Sequence, residues 1–139
     1  MQTTYLKYCL ILYLILVTAG CREEIVPPDN PATNINEPVQ MRYRNSYTFL
    51  INAEKISFDL VDYPDLRTST TSLYFTLSDY KSGTVSISIL NKDDGLIFSE
   101  QYADNLPGFY YEIKGNLPAK IKIRCSDFSG KLKVQLTGI

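Results

Sequence analysis

The chain has 139 residues, a formal charge of −1 and 45% hydrophobic residues, enough for one modest core and too little positive charge for bulk nucleic-acid binding. It contains no histidine, which excludes Ser-His and Cys-His nucleophile pairs and imidazole-ligated zinc. The absence of tryptophan weakens the case for a flat indole platform for sugars, but leaves carboxylate pairs and tyrosine-based recognition open.

The first element is a short apolar run. Lys7 is the only charge before it, and residues 8–17 carry none. Ten helical residues rise about 15 Å, roughly half of a hydrocarbon core, so the run is a poor membrane span. A basic start, a short apolar centre and an exit through Thr18-Ala19-Gly20-Cys21 instead describe an export signal removed from the mature chain.

Those four residues resemble the lipobox of bacterial lipoproteins, although Thr18 stands where that family usually has leucine. The resemblance implies cleavage after Gly20, lipid attachment at Cys21 and a durable membrane anchor, since two or more acyl chains hold where one does not. Arg22-Glu23-Glu24 is similar to the acidic signal that follows the lipidated cysteine in surface-displayed lipoproteins of Bacteroidetes. The implied address is the outer membrane of a Gram-negative bacterium, on its periplasmic or its cell-surface face. Loss of residues 1–20 removes Lys7 and no acid, moving the formal charge from −1 to −2. It also removes Cys9, so with Cys21 acylated, Cys125 has no intrachain partner and no disulfide framework is available.

Residues 21–45 read as a lipidated N-terminus followed by a flexible linker. Pro27, Pro28, Pro31 and Pro38 punctuate a polar stretch that lacks the apolar residues for a core.

From residue 46 to 139 the pattern is period-two alternation, the mark of half-buried strands. Apolar residues alternate with polar ones at Ile56-Phe58-Leu60, Leu73-Phe75-Leu77, Val85-Ile87-Ile89, Phe109-Tyr111-Ile113, Ile121-Ile123-Cys125 and Leu132-Val134-Leu136. Less regular strands at 47–51 and 96–98 bring the expected number to about eight. Asp93-Asp94-Gly95, Ser82-Gly83, Pro107-Gly108, Ser126 to Gly130 and Gly115 to Pro118 carry turn chemistry between them. The predicted fold is all-β: a single antiparallel β-sandwich domain, immunoglobulin-like or jelly-roll-like. On its last strands Cys125 falls on the apolar side and acts as a small buried hydrophobe.

Candidate sites come from the solvent side of these strands. Lys120, Lys122 and Arg124 face outward on one strand, and Lys131 and Lys133 on the next. With 126–130 as a hairpin turn, cross-strand spacing of ~5 Å would join the five cations into one patch for an anionic glycan, a phosphate-bearing headgroup or an acidic protein face. The competing reading is a solvated strand whose lysines prevent edge-to-edge pairing. Tyr74 and Tyr110, with Tyr63, Tyr80 and Phe128 near strand ends, are candidates for stacking on a ligand.

Asn91 to Gly95 superficially suggests calcium, but in an EF-hand frame Gly95 falls one residue early and Tyr102 stands where the bidentate glutamate belongs. A hairpin turn is expected there, and no metal or cofactor is. A glycosidase needs only two carboxylates, for which Asp59, Asp62, Asp65, Asp79 and Glu112 are available, without diagnostic spacing.

The sequence therefore predicts a non-enzymatic, membrane-anchored binding or accessory module for a glycan or an envelope protein. A structural part of an envelope assembly is the alternative, and a carboxylate-dependent hydrolase a distant third.

Overall fold

The computed structural model describes residues 34–139. The signal segment, Cys21 and residues 22–33 lie outside the described residues.

Six antiparallel strands follow one another without a helix among the described residues: β1 (Val39–Tyr43), β2 (Ser46–Asp62), β3 (Thr70–Leu90), β4 (Leu96–Tyr102), β5 (Leu106–Lys114) and β6 (Lys120–Gly138). They form one sheet in the order β1-β2-β6-β3-β4, with β5 also paired to β3. The all-β antiparallel reading holds, but six strands replace the expected eight. The predicted segments at 47–51 and 56–60 are two halves of β2, those at 73–77 and 85–89 two halves of β3, and those at 121–125 and 132–136 two halves of β6.

Each long strand breaks register near its middle. The breaks fall between Ala53 and Phe58 in β2 and between Ser78 and Thr84 in β3, where both pair with residues 125–131 of β6. Five residues with positive φ cluster in these stretches: Lys55 (49°), Asp79 (51°), Gly83 (88°), Asp127 (47°) and Gly130 (153°). Such breaks bend a strand and let it pass from one sheet layer into another. The sheet folds across this line into two layers. The first contains β1, 46–53 of β2, 130–138 of β6, 70–78 of β3 and β5. The second contains 56–62 of β2, 120–128 of β6, 84–90 of β3 and β4.

Backbone groups that lose ladder partners at the corner find side chains instead. Ser129 Oγ accepts from Lys55 N at 2.8 Å, Ser57 Oγ from Asp127 N at 2.8 Å, and Asn105 Oδ1 from Tyr80 N at 3.0 Å. The Tyr80 hydroxyl donates to Gly83 O at 3.0 Å. Ser82-Gly83 and 126–130, expected as turns between strands, are therefore corners within them. Pro107-Gly108 lies inside β5, whereas 91–95 is the predicted hairpin and 115–119 the predicted loop.

The core lies between the layers. Tyr47, Phe49, Ile51, Leu73, Phe75, Leu77, Ile113, Leu132, Val134 and Leu136 from the first layer meet Val85, Ile87, Ile89, Phe98, Ile121, Ile123 and Cys125 from the second. Phe75 and Phe98 stand edge-on with centroids 6.5 Å apart, and Phe98 lies 5.3 Å from Tyr111. Phe128 is fully buried at the corner. Opposite the corner, loop 63–69 closes the end with Leu66 buried in the core.

The sheet also begins earlier than expected. Residues 39–43, read as linker, pair with β2, and Ile35 bridges Asn52. Asn36 fixes this entry by exchanging hydrogen bonds with Asn52 and Glu54. The inward-facing Asp62, at the end of β2 in the second layer, receives Arg42 of β1 in the first, with Arg42 Nη2 2.6 Å from Asp62 Oδ1.

Candidate functional site

The corner at 126–130 decides the fate of the predicted basic patch. Because β6 continues through it instead of reversing, Lys120, Lys122 and Arg124 project from the outer face of the second layer. Lys131 and Lys133 project from the outer face of the first. The core separates the two groups, so the five cations do not form one patch.

Three of the five are also engaged. Lys120 bonds Asp94 and stands 5.8 Å from the centroid of the Tyr63 ring, Arg124 Nε bonds Asp59, and Lys131 Nζ lies 2.8 Å from Asp79. Lys122 and Lys133 make no ion pair among the described residues.

Tyr110, also predicted as a binding residue, lies with Lys133 on the first layer, and its surroundings were not legible in sequence. The register links Met41 to Thr48, Thr48 to Gln135, Gln135 to Tyr74 and Tyr74 to Tyr110. One row of side chains thus crosses all five strands of the outer face, about 19 Å at ordinary strand spacing. At one end of the row Tyr110 is 61% exposed and Tyr74 37%. Gly108 makes room for Tyr74: a Cβ at that position would lie 3.1 Å from the phenol oxygen. Lys133, diagonal to Tyr74, sits between Leu50 and Thr76. On the other side, Ser46, Thr137, Ser72 and Glu112 form a parallel polar row. The result is an outer face with two neighbouring phenol rings, an amide, hydroxyls and one free ammonium.

The other aromatic candidates separate from this face. Phe128 belongs to the core, Tyr80 is committed to the corner, and the exposed Tyr63 stands under Lys120 at the opposite end of the molecule.

Each of the five carboxylates considered for hydrolysis is paired with a cation: Asp59 with Arg124, Asp62 with Arg42, Asp65 with Arg67, Asp79 with Lys131, and Glu112 with Lys114. The hydrogen bond from Lys131, and then its charge, hold Asp79 below the usual carboxylate range. Among the described residues, no three His, Cys, Asp or Glu side chains gather closely enough to hold a metal ion. In the 91–95 hairpin, Asn91 Oδ1 accepts from Asp93 N at 2.9 Å and Gly95 N at 2.7 Å, which occupies the oxygen a cation would need.

Cys125 is buried and free, and burial pushes its thiol up to about 12, so it packs as a hydrophobe.

The surface of the described residues carries several shallow depressions, of which two bear on the candidate residues. One, of about 490 Å³, lies at the corner between Ile35, Glu54, Asp79, Tyr80 and Lys131. The other, of about 480 Å³, runs over the second layer between Asp59, Val61, Ser86, Ser88, Lys122 and Arg124.

No protein-family model and no curated protein matches the chain. Among solved structures, it is similar to a chain of the glycosylation associate protein Gap123 complex from Streptococcus agalactiae, with 10% identity and a TM-score of 0.38. That similarity covers 73% of this chain and 39% of the other. The chain is also similar to a chain of the accessory secretory protein 1, 2 and 3 structure from Streptococcus pneumoniae, at 9% identity and a TM-score of 0.36 over 81% of this chain and 92% of that one. A third similarity, to BiXyn10A CBM1 in its apo form, has 7% identity and a TM-score of 0.38 over 78% and 94% of the two chains. The chain spans about two fifths of the first of these structures. Similarity at this level does not carry a function from one protein to another.

Proposed function

We propose that this chain is a lipid-anchored envelope protein whose sandwich is a non-catalytic glycan-binding module. One observation carries the reading: the outer-face row Met41-Thr48-Gln135-Tyr74-Tyr110 across the first layer, half-buried at Met41, Thr48 and Gln135 and exposed at Tyr74 and Tyr110. Sugars present C–H faces and hydroxyls in alternation, and this row offers phenol rings beside an amide and a hydroxyl. Its length of about 19 Å suits a chain of several sugar units better than a single one. Its place on the outer face suits a ligand laid along a surface, and the row includes no carboxylate that would act on it. The lipobox-like Thr18-Ala19-Gly20-Cys21 supplies the address, with Cys21 as the lipid attachment point on the outer membrane.

Two substitutions test this reading. In affinity electrophoresis of the full-length protein against a panel of neutral and acidic polysaccharides, at least one should retard the wild type. Tyr74→Ala with Tyr110→Ala should weaken that retardation roughly tenfold or more, since each ring contributes about 1 kcal/mol beyond its area. Retention of full binding by the double variant would remove the tyrosine face from consideration. Cys21→Ser should abolish acyl labelling and release the protein from membranes; a variant that stays membrane-bound would sink the anchor.

A further inference from the structure

The second layer carries a separate arrangement on its outer face. The register aligns two rows of four residues there: Asp59-Arg124-Ser86-Gln101 and Val61-Lys122-Ser88-Ser99. Short serine side chains beside long basic ones leave the trough of about 480 Å³. Two of the hydroxyls already touch, with Ser88 Oγ 2.9 Å from Ser99 Oγ.

The charges on this face are unequal in a useful way. Asp59 holds Arg124 through Nε alone, and among the described residues no hydrogen bond engages the two terminal nitrogens of that guanidinium. Lys122, two residues along the same face, has no ion pair among the described residues. Asp94, which feels the charge of Lys122, is already bonded to Lys120. The trough is therefore lined by one unpaired ammonium, a guanidinium held at Nε by the Asp59 carboxylate, and serine hydroxyls. Charge-assisted bonds from such groups suit a compact oxyanion.

We infer that the Lys122-Arg124-Ser88 trough is an anion-binding site that takes a sulfate or phosphate substituent of an acidic glycan. Its occupant is a glycan and not a lipid surface because the face offers one free ammonium and several hydroxyls. A membrane contact requires several free cations or apolar side chains that insert. The site lies on the opposite layer from Tyr74 and Tyr110 and does not depend on them.

The test uses full-length protein in affinity electrophoresis against dextran sulfate, with neutral dextran as reference. Dextran sulfate should retard the wild type, and neutral dextran should not do so through this face. Lys122→Gln should weaken the dextran sulfate interaction about tenfold, the size of one charge-assisted hydrogen bond. Lys55→Gln removes the same charge from the exposed corner, outside both faces, and should change it less than about twofold. Arg124→Lys keeps the charge but loses the fork, and should fall between them. Equal losses from Lys122→Gln and Lys55→Gln would reduce the effect to diffuse attraction and overturn the site. So would a wild type that ignores dextran sulfate, or one that binds phosphatidylglycerol vesicles through Lys122 in its place. A Tyr74→Ala, Tyr110→Ala variant that still binds dextran sulfate through Lys122 would separate this site from the tyrosine face.

Discussion

Phe49 and Phe58 lie nine residues apart on one β-strand, yet their ring centroids are 6.2 Å apart. Nine residues of straight strand would put about 30 Å between them. The strand turns back on itself, and both rings enter the same core although one number is odd and the other even. The register break between Ala53 and Phe58 supplies both effects: it bends the chain and shifts the inward parity. β6 shifts parity in the same way, from Cys125 to Leu132.

The corner is where backbone conformation matters most. Gly83 has φ +88°, and a Cβ there would run into the carbonyl oxygens of Ser126 and Asp127. Gly83→Ala should therefore lower the unfolding free energy by more than about 2 kcal/mol, because it adds a clash with immovable backbone to an unfavourable φ. Lys55 adopts φ 49° at an exposed position. Lys55→Gly should be neutral or stabilise by up to about 1 kcal/mol, since glycine enters that region freely. Urea denaturation of both variants checks the pair, and a harmless Gly83→Ala would contradict the folded-strand geometry.

The corner also explains what was legible in the sequence. All eight predicted strand segments exist, since alternation at 73–77 or 121–125 needs only local burial on one side. Whether two segments join was not legible, because Gly83, Asp127 and Gly130 supply positive φ equally to a reversal and to a bend. Long-range pairing of β6 with both β2 and β3 decides the outcome. The basic hairpin failed for that reason. β1 escaped notice because Val39-Gln40-Met41-Arg42-Tyr43 follows a proline and has only one fully apolar alternating pair. Tyr74 beside Tyr110 was equally hidden, since their adjacency depends on β3 pairing with β5 across an intervening strand in sequence.

The Arg42–Asp62 pair ties the edge of the first layer to the end of β2 in the second. Asp62 is buried, while the Arg42 side chain is half-exposed, so water replaces part of the interaction when arginine is removed. Arg42→Ala should lower stability, by less than the loss of one partner from a fully buried pair would. Asp62→Asn with Arg42→Ala should lose less than the sum of the single changes, because the double variant leaves no unpaired charge. Additive losses in thermal unfolding would show that the two side chains act separately.

Asp94 gives a pH test. Its hydrogen bond from Lys120, and then the Lys120 charge, lower its pKa below the usual carboxylate value. A carboxylate depressed on folding stabilises the fold above its unfolded pKa, near 3.9, and that contribution disappears as pH falls through the folded value. Carboxyl-carbon NMR should show Asp94 titrating below Asp residues in the urea-unfolded chain. Lys120→Met should move its midpoint upward and remove this part of the acid dependence. A midpoint unchanged by Lys120→Met would mean that the pair does not persist in solution.

Tyr47 is fully buried, and its hydroxyl finds no hydrogen-bond partner among the described residues although the Asp62 charge lies near enough to act on it. Burial first, and the Asp62 charge second, push the phenol up, so it stays protonated across the physiological range. An unsatisfied buried hydroxyl is a cost carried by the folded state, whereas the ring itself fills the core beside Phe49 and Leu136. Tyr47→Phe keeps the ring and removes the stranded oxygen. The variant should be as stable as the wild type or more stable by up to about 1 kcal/mol. Tyr47→Leu should lose stability through poor filling, typically by 1 kcal/mol or more. The contrast assigns the role of Tyr47 to its ring. A clear loss from Tyr47→Phe in urea unfolding would mean instead that the hydroxyl bonds Asp62 and belongs to the Arg42 clasp.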